Sequence, residues 1–319
     1  VFGFSQTVSS LISQVSKTGV IQTVKDLSGE NPTVVEGSTV TIKNRVSSKG
    51  NNVAASYIKE HLNSYGITAV EVNYSSGGRN IVATKTGALY PTKKFVICAH
   101  YDAVSDYGAD DNASGVAAVL EAARIMSNYT FEYTVVFALW DEEEIGLYGA
   151  KNYASTAKQN GDNIIAVVNM DMIGYDGDND KRFDIDVRNI ANSYQIKNDL
   201  LSVVSTHGLN LTGFVVDPGT LDSDHSAFWT QGYSAVLLGE AWSKNDITPG
   251  YHSSNDRLSY FNTDYFYNMV KLAVGYIVTK AVLMNGTGVN NIDFPKASVY
   301  PNPVQNNLHV DLEKEFVGK

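Results

Sequence analysis

Three consecutive glutamates follow an apolar run near the middle of the chain. Residues 132–139 are rich in β-branched and aromatic side chains, which is typical of a buried strand, and Asp141-Glu142-Glu143-Glu144 comes one residue later. Gly146 and the spacing of the apolar residues beyond it predict a helix. A strand that leads into a helix is typical of an open α/β sheet, where binding crevices lie at the carboxyl ends of the strands. Carboxylates crowded at such a place repel one another, which indicates either a solvated turn or a bound cation.

Two further apolar segments end in polar side chains. Residues 95–99 are wholly apolar and predict a central strand, which is followed by His100-Tyr101-Asp102. Residues 164–168 predict another buried strand, which leads to Asn169-Met170-Asp171. Because parallel strands bring their carboxyl ends to one edge of a sheet, we expect these polar residues to converge with the glutamates.

Helical and strand-like segments alternate along the rest of the chain. Helices are predicted over residues 7–26 (interrupted near Gly19), 52–66, 192–206 and 263–284, a loop over 29–37, and strands over 70–74, 80–84, 214–216 and 235–238. The pattern predicts an α/β fold, with a single three-layer α/β/α domain over residues 1–286 and a mixed, mostly parallel central sheet. Residues 287–319 are too few for a core of their own and are predicted to be a linker and the beginning of a C-terminal domain.

The composition excludes several classes of partner. A net charge of −10 and a pI near 5.0 argue against nucleic acid or an anionic membrane surface. No apolar run approaches the ~20 residues that a membrane-spanning helix needs. Cys98 is the only cysteine, so no disulfide within the chain is expected, and its apolar neighbours favour a buried structural thiol.

Asp111 and His252 extend the set of metal-binding residue types. Each lies in a polar loop that precedes a predicted helix. Two imidazoles and several carboxylates form a ligand set for zinc or a similar divalent metal, and the excess of carboxylates suggests two metals that share a bridging carboxylate. Taken singly, each residue also fits a structural role, such as a helix cap for Asp111 or a surface loop for His252. The recurrence of the same chemistry at successive strand ends favours the metal site.

Five motifs resemble those of peptidase family M28. In chain order they are His100-Tyr101-Asp102, Gly108-Ala109-Asp110-Asp111-Asn112-Ala113-Ser114-Gly115, Glu143-Glu144-Ile145-Gly146-Leu147, Asn169-Met170-Asp171-Met172 and Tyr251-His252-Ser253-Ser254-Asn255-Asp256. The resemblance runs from about residue 10 to residue 285 and is to the di-zinc aminopeptidases of the bacterial leucyl aminopeptidase type. It implies a zinc-exopeptidase-like fold. It also implies removal of N-terminal, large apolar residues from peptides with a free N-terminus, through attack by a zinc-bound water.

The resemblance implies a metal role for five residues. His100 and Asp171 match the ligands of one Zn²⁺. Glu144 and His252 match the ligands of a second Zn²⁺, and Asp111 matches the carboxylate that bridges the two.

Three further residues are implied to act in catalysis. Glu143 matches the general base that takes a proton from the attacking water. Asp102 is expected to orient the imidazole two residues before it. Tyr251 resembles the tyrosine that steadies the oxyanion in some members. Two other polar residues receive no chemical role: Glu142 is expected in a solvated turn, and His225 in a structural or pocket-wall position.

Other functions on the same scaffold stay open. The motifs do not identify the residues that bind the substrate's amino group, so a carboxypeptidase is an alternative. A glutaminyl cyclase uses one zinc, and the full ligand set argues against it. A non-catalytic binding homologue would have lost ligands, whereas all five positions are retained here.

The C-terminal segment has a separate resemblance. Residues 297–303, Ala-Ser-Val-Tyr-Pro-Asn-Pro, and the Leu308-His309-Val310 that follows look like the opening of a type IX secretion sorting domain. This resemblance implies a bacterial protein that is secreted or displayed at the cell surface, with an export machinery as a partner. The alternative is a proline-containing linker followed by a strand.

Overall fold

The computed structural model describes residues 8–284, 298–300 and 309–311. The strands, numbered along the chain, are β1 (Thr33–Val35), β2 (Ser38–Val40), β3 (Ala69–Asn73), β4 (Arg79–Lys85), β5 (Tyr90–His100), β6 (Tyr133–Trp140), β7 (Asn163–Met170), β8 (Arg182–Asp186), β9 (Thr212–Val216), β10 (Ala235–Gly239), β11 (Ser298–Tyr300) and β12 (His309–Asp311). The helices are α1 (Lys17–Leu27), α2 (Ser48–Ser64), α3 (Gly115–Met126), α4 (Tyr148–Gln159), α5 (Ser193–His207), α6 (His225–Thr230) and α7 (Thr263–Lys280).

Eight of these strands form one mixed sheet in the order β3-β4-β6-β5-β7-β10-β8-β9. Four neighbouring pairs are parallel and three are antiparallel. The four central strands β6, β5, β7 and β10 run in the same direction. Their carboxyl ends therefore lie along one edge, as predicted.

Helices cover both faces of the sheet, which gives the predicted three layers. The larger hydrophobic cluster joins one face to α1, α2, α3, α5 and α7, and the smaller cluster joins the other face to α4 and α6. The central strand β5 supplies both, because Phe95, Ile97 and Ala99 belong to the larger cluster while Val96 and Cys98 belong to the smaller. The Cys98 thiol is fully buried, as the sequence predicts.

Two predictions in the N-terminal part are wrong. The predicted helix over residues 7–26 is interrupted at 13–16 rather than near Gly19, because Ser16 caps α1 and its hydroxyl accepts a hydrogen bond from the Gly19 N–H at 3.0 Å. The predicted loop over 29–37 contains β1, which pairs with β2 as a separate antiparallel hairpin.

The segment before α3 that carries Asp111 is not helical. Asp111 has φ −104° and ψ 92°, and Asn112 has φ −133° and ψ 47°; the peptide bond between them is cis. Regular helix begins only at Gly115. Asp111 therefore does not cap α3, which is the structural role that its sequence position also fits.

The prediction missed β8 altogether. Its sequence, Arg-Phe-Asp-Ile-Asp, carries three charges in five residues, which is unusual for a buried strand. Phe183 and Ile185 nevertheless belong to the larger hydrophobic cluster, while Asp184 and Asp186 line a cavity.

The chain divides into two compact units, Val1–Met284 and Asn285–Lys319. In the second unit, β11 and β12 pair in antiparallel fashion. Most of the segment predicted as a linker and sorting domain, 287–319, lies outside the described residues, so its assignment stays a prediction.

Of the helices in the described part of the chain, none combines the length and the apolar character needed to cross a bilayer.

Candidate metal centre

The five predicted ligands meet at the carboxyl edge of the sheet. His100 is the last residue of β5, Asp171 follows β7, and Glu144 lies in the turn between β6 and α4. Asp111 comes from the irregular segment before α3, and His252 comes from the loop that precedes α7. The structure thus brings together residues from five separate segments of the chain.

Asp111 lies between two sets of donor atoms. Its Oδ1 is 3.2 Å from Nε2 of His100, which is also 3.3 Å from Oδ1 of Asp171. Its Oδ2 is 3.3 Å from Nε2 of His252, which is also 3.3 Å from Oε2 of Glu144. The two oxygens of one carboxylate therefore face two different groups of ligands.

These distances fit metal coordination better than direct hydrogen bonding. Ligand atoms at about 2.0–2.1 Å from a tetrahedral zinc ion lie about 3.3 Å from one another, whereas N–H···O bonds are most often about 2.9–3.0 Å long. In addition, Oε1 of Glu144 is buried and accepts no hydrogen bond from the described residues, as expected of an atom reserved for a ligand. The residues present fit two divalent metal ions.

The site carries more negative charge than the surrounding protein balances. Burial raises the pKa values of Glu143 and Glu144, and neighbouring carboxylates raise them further. Burial alone lowers the pKa of His100, but the carboxylates of Asp171 and Glu143 raise it well above its usual range. Divalent cations in the site would supply the missing positive charge.

Asp102 connects the imidazole of His100 to the glutamate turn. Its Oδ1 lies 3.4 Å from Nδ1 of His100 and accepts a hydrogen bond from the Glu143 N–H at 3.1 Å. Its Oδ2 accepts a hydrogen bond from the Glu144 N–H at 3.2 Å. Asp102 therefore fixes the position of one predicted ligand and of the turn that carries the predicted base and a second ligand.

Asp256 holds the segment that contains Asp111, the predicted bridging carboxylate. Its two carboxylate oxygens accept hydrogen bonds from the backbone N–H groups of Asp110 and Asp111, each at 2.9 Å. Asp256 belongs to a motif quoted from the sequence, but the sequence alone indicated no role for it.

Arg45 is a buried cation that the sequence analysis missed. It is 1% exposed, and its guanidinium donates hydrogen bonds of 2.7 Å to the carbonyl oxygens of Tyr101, Tyr107 and Gly108. It thereby fixes the backbone between β5 and Asp111. Backbone carbonyls are found in every residue, so no sequence pattern could mark this role.

Ser223 binds the oxygen of Asp171 that does not face His100. The Ser223 hydroxyl donates a 2.6 Å hydrogen bond to Oδ2 of Asp171 and accepts a 2.8 Å hydrogen bond from the side-chain amide of Asn169. The orientation of the Asp171 carboxylate is therefore set by side chains from two segments. The sequence analysis did not identify Ser223 or Asn169 as supporting residues.

His225 is placed in a structural position. It is fully buried, packs edge-to-face on Trp229, and its Nε2 lies 3.1 Å from the carbonyl oxygen of Thr220. Burial lowers the pKa of its imidazole to about 3, so the ring stays neutral. It belongs to none of the groups of metal-binding atoms among the described residues.

A cavity of about 830 Å³ adjoins the ligands. Its wall includes the predicted base Glu143, the predicted oxyanion donor Tyr251 and apolar side chains such as Met172 and Trp242. Tyr251 is 38% exposed and its ring stacks on His252 with 3.7 Å between the ring centroids. An imidazole and carboxylate cluster beside a cavity, at the carboxyl edge of a mixed sheet, defines a metal-dependent hydrolase of the α/β class.

Comparison with protein families identifies the class more closely. The model of Peptidase family M28 matches residues 80–277, more than half of the chain. The chain therefore belongs to Peptidase family M28, as the motifs predict.

Curated relatives agree with this assignment. The chain is 25% identical to a probable leucine aminopeptidase of Trichophyton verrucosum over 298 residues, which cover 88% of this chain and 77% of the relative. It is 28% identical to leucine aminopeptidase 1 of Trichophyton equinum over 236 residues, which cover 68% of this chain and 62% of the relative, less than two thirds of its length. Together they confirm the prediction of a metal-dependent exopeptidase. Both relatives are fungal, so they lend no support to the bacterial type.

The fold also matches solved structures. The crystal structure of LapB from Legionella pneumophila superposes with a TM-score of 0.73 at 22% identity, covering 86% of this chain and 75% of that chain. This similarity confirms the predicted α/β architecture.

We expect Asp102→Asn to weaken metal binding and activity by about 10–100-fold, the usual cost of disturbing a partner of a metal-bound histidine. The two turn N–H groups bind different oxygens of Asp102, and in the amide one of these oxygens is replaced by an NH2 group, which donates and cannot accept. Metal affinity measured with a competing chelator checks this. Asp264→Asn is the control, because the Asp264 side chain is 78% exposed. Unchanged affinity in Asp102→Asn would show that Asp102 does not position the site.

Proposed function

We propose that this chain is an aminopeptidase that uses two zinc ions to remove N-terminal residues from peptides. The observation that carries the proposal is the position of the Asp111 carboxylate. Its Oδ1 lies 3.2 Å from Nε2 of His100, and its Oδ2 lies 3.3 Å from Nε2 of His252. A carboxylate shared between two ligand sets is the arrangement of two-metal hydrolases. Imidazole and carboxylate ligands suit zinc, and the aminopeptidase relatives support the type of reaction.

Glu143 is proposed as the general base. When bound, zinc polarises the scissile carbonyl and lowers the pKa of water. Glu143 is 8% exposed and lines the cavity beside the ligand Glu144, so its carboxylate can take a proton from the attacking water and pass it to the leaving amine. Bound metal ions would lower the raised pKa of Glu143 towards the range in which a carboxylate acts as a base.

Tyr251 is proposed to donate a hydrogen bond to the oxyanion. Burial and the nearby carboxylates raise the pKa of its phenol, so the hydroxyl keeps its proton. Stacking on His252 holds the ring at the rim of the cavity.

The charge of the cavity favours an aminopeptidase over a carboxypeptidase. Among the described residues that line the cavity, Lys151 is the only lysine or arginine, and its Nζ already donates a 2.9 Å hydrogen bond to the carbonyl oxygen of Gly146. A carboxypeptidase must bind a terminal carboxylate, whereas this acidic cavity attracts a terminal ammonium.

We also propose that the protein is exported and acts outside the cytoplasm of a bacterium. The support is the Tyr300-Pro301-Asn302-Pro303 sequence, together with the antiparallel pairing of β11, which ends at Tyr300, with β12. Fractionation of the producing cells tests this, and retention of all activity in the cytoplasm would contradict it.

We expect Glu143→Gln to lower kcat by about 10²–10⁴-fold, the typical contribution of a general acid–base group. Zinc content measured by elemental analysis should stay near that of the wild type, because Glu143 is not an assigned ligand. Glu142→Gln is the matched control, since it removes the adjacent carboxylate and should keep full turnover. Full turnover in a metal-loaded Glu143→Gln variant would remove the base assignment.

We expect the purified protein to hold close to two zinc ions per chain and to cleave aminoacyl p-nitroanilides until a chelator is added. Acetylation of the substrate's amino group should abolish cleavage, because the acidic edge then has no ammonium to bind. Chelator-insensitive activity would overturn the metal assignment. Undiminished cleavage of the acetylated substrate would overturn the aminopeptidase assignment.

A further inference from the structure

Two buried aspartates line the cavity away from the predicted metal ligands. Asp184 and Asp186, on β8, are 1% and 7% exposed. The alternate residues of the same strand, Phe183 and Ile185, belong to the larger hydrophobic cluster on the other face of the sheet. A buried carboxylate is costly unless a partner balances its charge, so this pair requires an explanation.

The present partners of these carboxylates leave them only partly satisfied. Oδ2 of Asp184 accepts a 2.7 Å hydrogen bond from the Ser243 N–H, but its Oδ1 is buried, accepts no hydrogen bond from the described residues and lies 3.5 Å from Nε of Arg182. Oδ1 of Asp186 accepts a 2.7 Å hydrogen bond from the Thr220 N–H. No lysine or arginine within the described ranges forms an ion pair with Asp186. Asp186 borders the cavity, which is large enough to hold a side chain of a substrate.

The strand register places Asp186 away from the reacting bond. Asp186 pairs with Leu237 of β10, which pairs in turn with Asn169 of β7. Two strand spacings, about 10 Å, therefore separate Asp186 from the strand that leads to Asp171. The substrate's α-amino group adjoins the scissile bond, so Asp186 is placed to meet the end of a long side chain instead.

We propose that the cavity binds a lysine or arginine side chain at the N-terminus of the substrate and that Asp186 pairs with its charged end. This rests on the proposed aminopeptidase function and names its substrate class. The apolar wall, which includes Met172, Val216 and Leu221, fits the aliphatic stem of such a side chain. The family resemblance instead implies a large apolar residue at the N-terminus of the substrate. The motifs that carry this resemblance do not include β8.

The test compares lysyl and norleucyl p-nitroanilides, which share an aliphatic stem and differ in the terminal charge. In the zinc-loaded wild type, kcat/KM should be higher for the lysyl substrate. Asp186→Asn should lower the lysyl value by about 30-fold or more, as expected when one partner of a buried charge pair is lost. The norleucyl value should change by less than about threefold, since the asparagine oxygen can still accept the Thr220 hydrogen bond. Asp264→Asn is the control, because the Asp264 side chain is 78% exposed and does not line the cavity.

Each other outcome has a definite meaning. An equal loss for both substrates would show that Asp186 binds the α-amino group or supports the fold, which overturns the proposal. A wild type that prefers the norleucyl substrate overturns it as well. Failure to cleave any aminoacyl substrate would instead overturn the proposed function itself.

The wild-type enzyme provides a second test that does not depend on a variant. Burial raises the pKa of Asp186 to about 6. The neighbouring charge of Asp184 adds to this rise, whereas the hydrogen bond from the Thr220 N–H and the charge of Arg188 oppose it. Asp222 also lines the cavity. Because a carboxylate is charged only above its pKa, the lysyl-to-norleucyl ratio of kcat/KM should rise from about pH 5 to about pH 7. Titration of the α-amino group and of the metal site affects both substrates and cancels in the ratio. A flat ratio would contradict the proposal.

Discussion

The carboxylates of Asp102, Asp111, Glu143, Glu144 and Asp171 are gathered at one largely buried edge of the sheet, and each must be held against the repulsion of the others. The protein holds them chiefly with backbone N–H groups, hydroxyls and a buried guanidinium that binds carbonyl oxygens, rather than with direct lysine or arginine partners. The N–H groups and hydroxyls fix positions without neutralising charge, and the single guanidinium of Arg45 offsets only part of the negative charge. Negative charge therefore remains to attract metal ions, and the surrounding hydrogen bonds keep the predicted ligands in place.

The sequence was informative wherever an apolar strand ends in a polar side chain. His100 and Glu143 could be placed on that basis, because a parallel sheet brings such ends together whatever the intervening chain does. Arg45 and Ser223 could not be placed, since their role depends on three-dimensional proximity to carbonyl oxygens and to Asp171. The resemblance to a family supplied the division of roles among the acidic residues, which spacing alone left open.

Strand β8 shows where pattern reasoning fails for a physical reason. Alternation of charged and apolar residues normally indicates a strand with one face in water, yet both faces of β8 are buried. One face packs in the core, and the other borders the cavity that the substrate is proposed to occupy. A strand that would be assigned to the surface by its charges instead lines the cavity, and its two aspartates distinguish this cavity from a purely apolar one.

The single cysteine has a consequence beyond packing. Cys98 is fully buried, and burial raises the pKa of its thiol well above the usual range, so it is a poor nucleophile and inaccessible to oxidants. With no second cysteine in the chain, no covalent cross-link within it has to form before the fold is complete. The same three-dimensional arrangement is therefore available in reducing and in oxidising surroundings, and folding is independent of thiol–disulfide exchange.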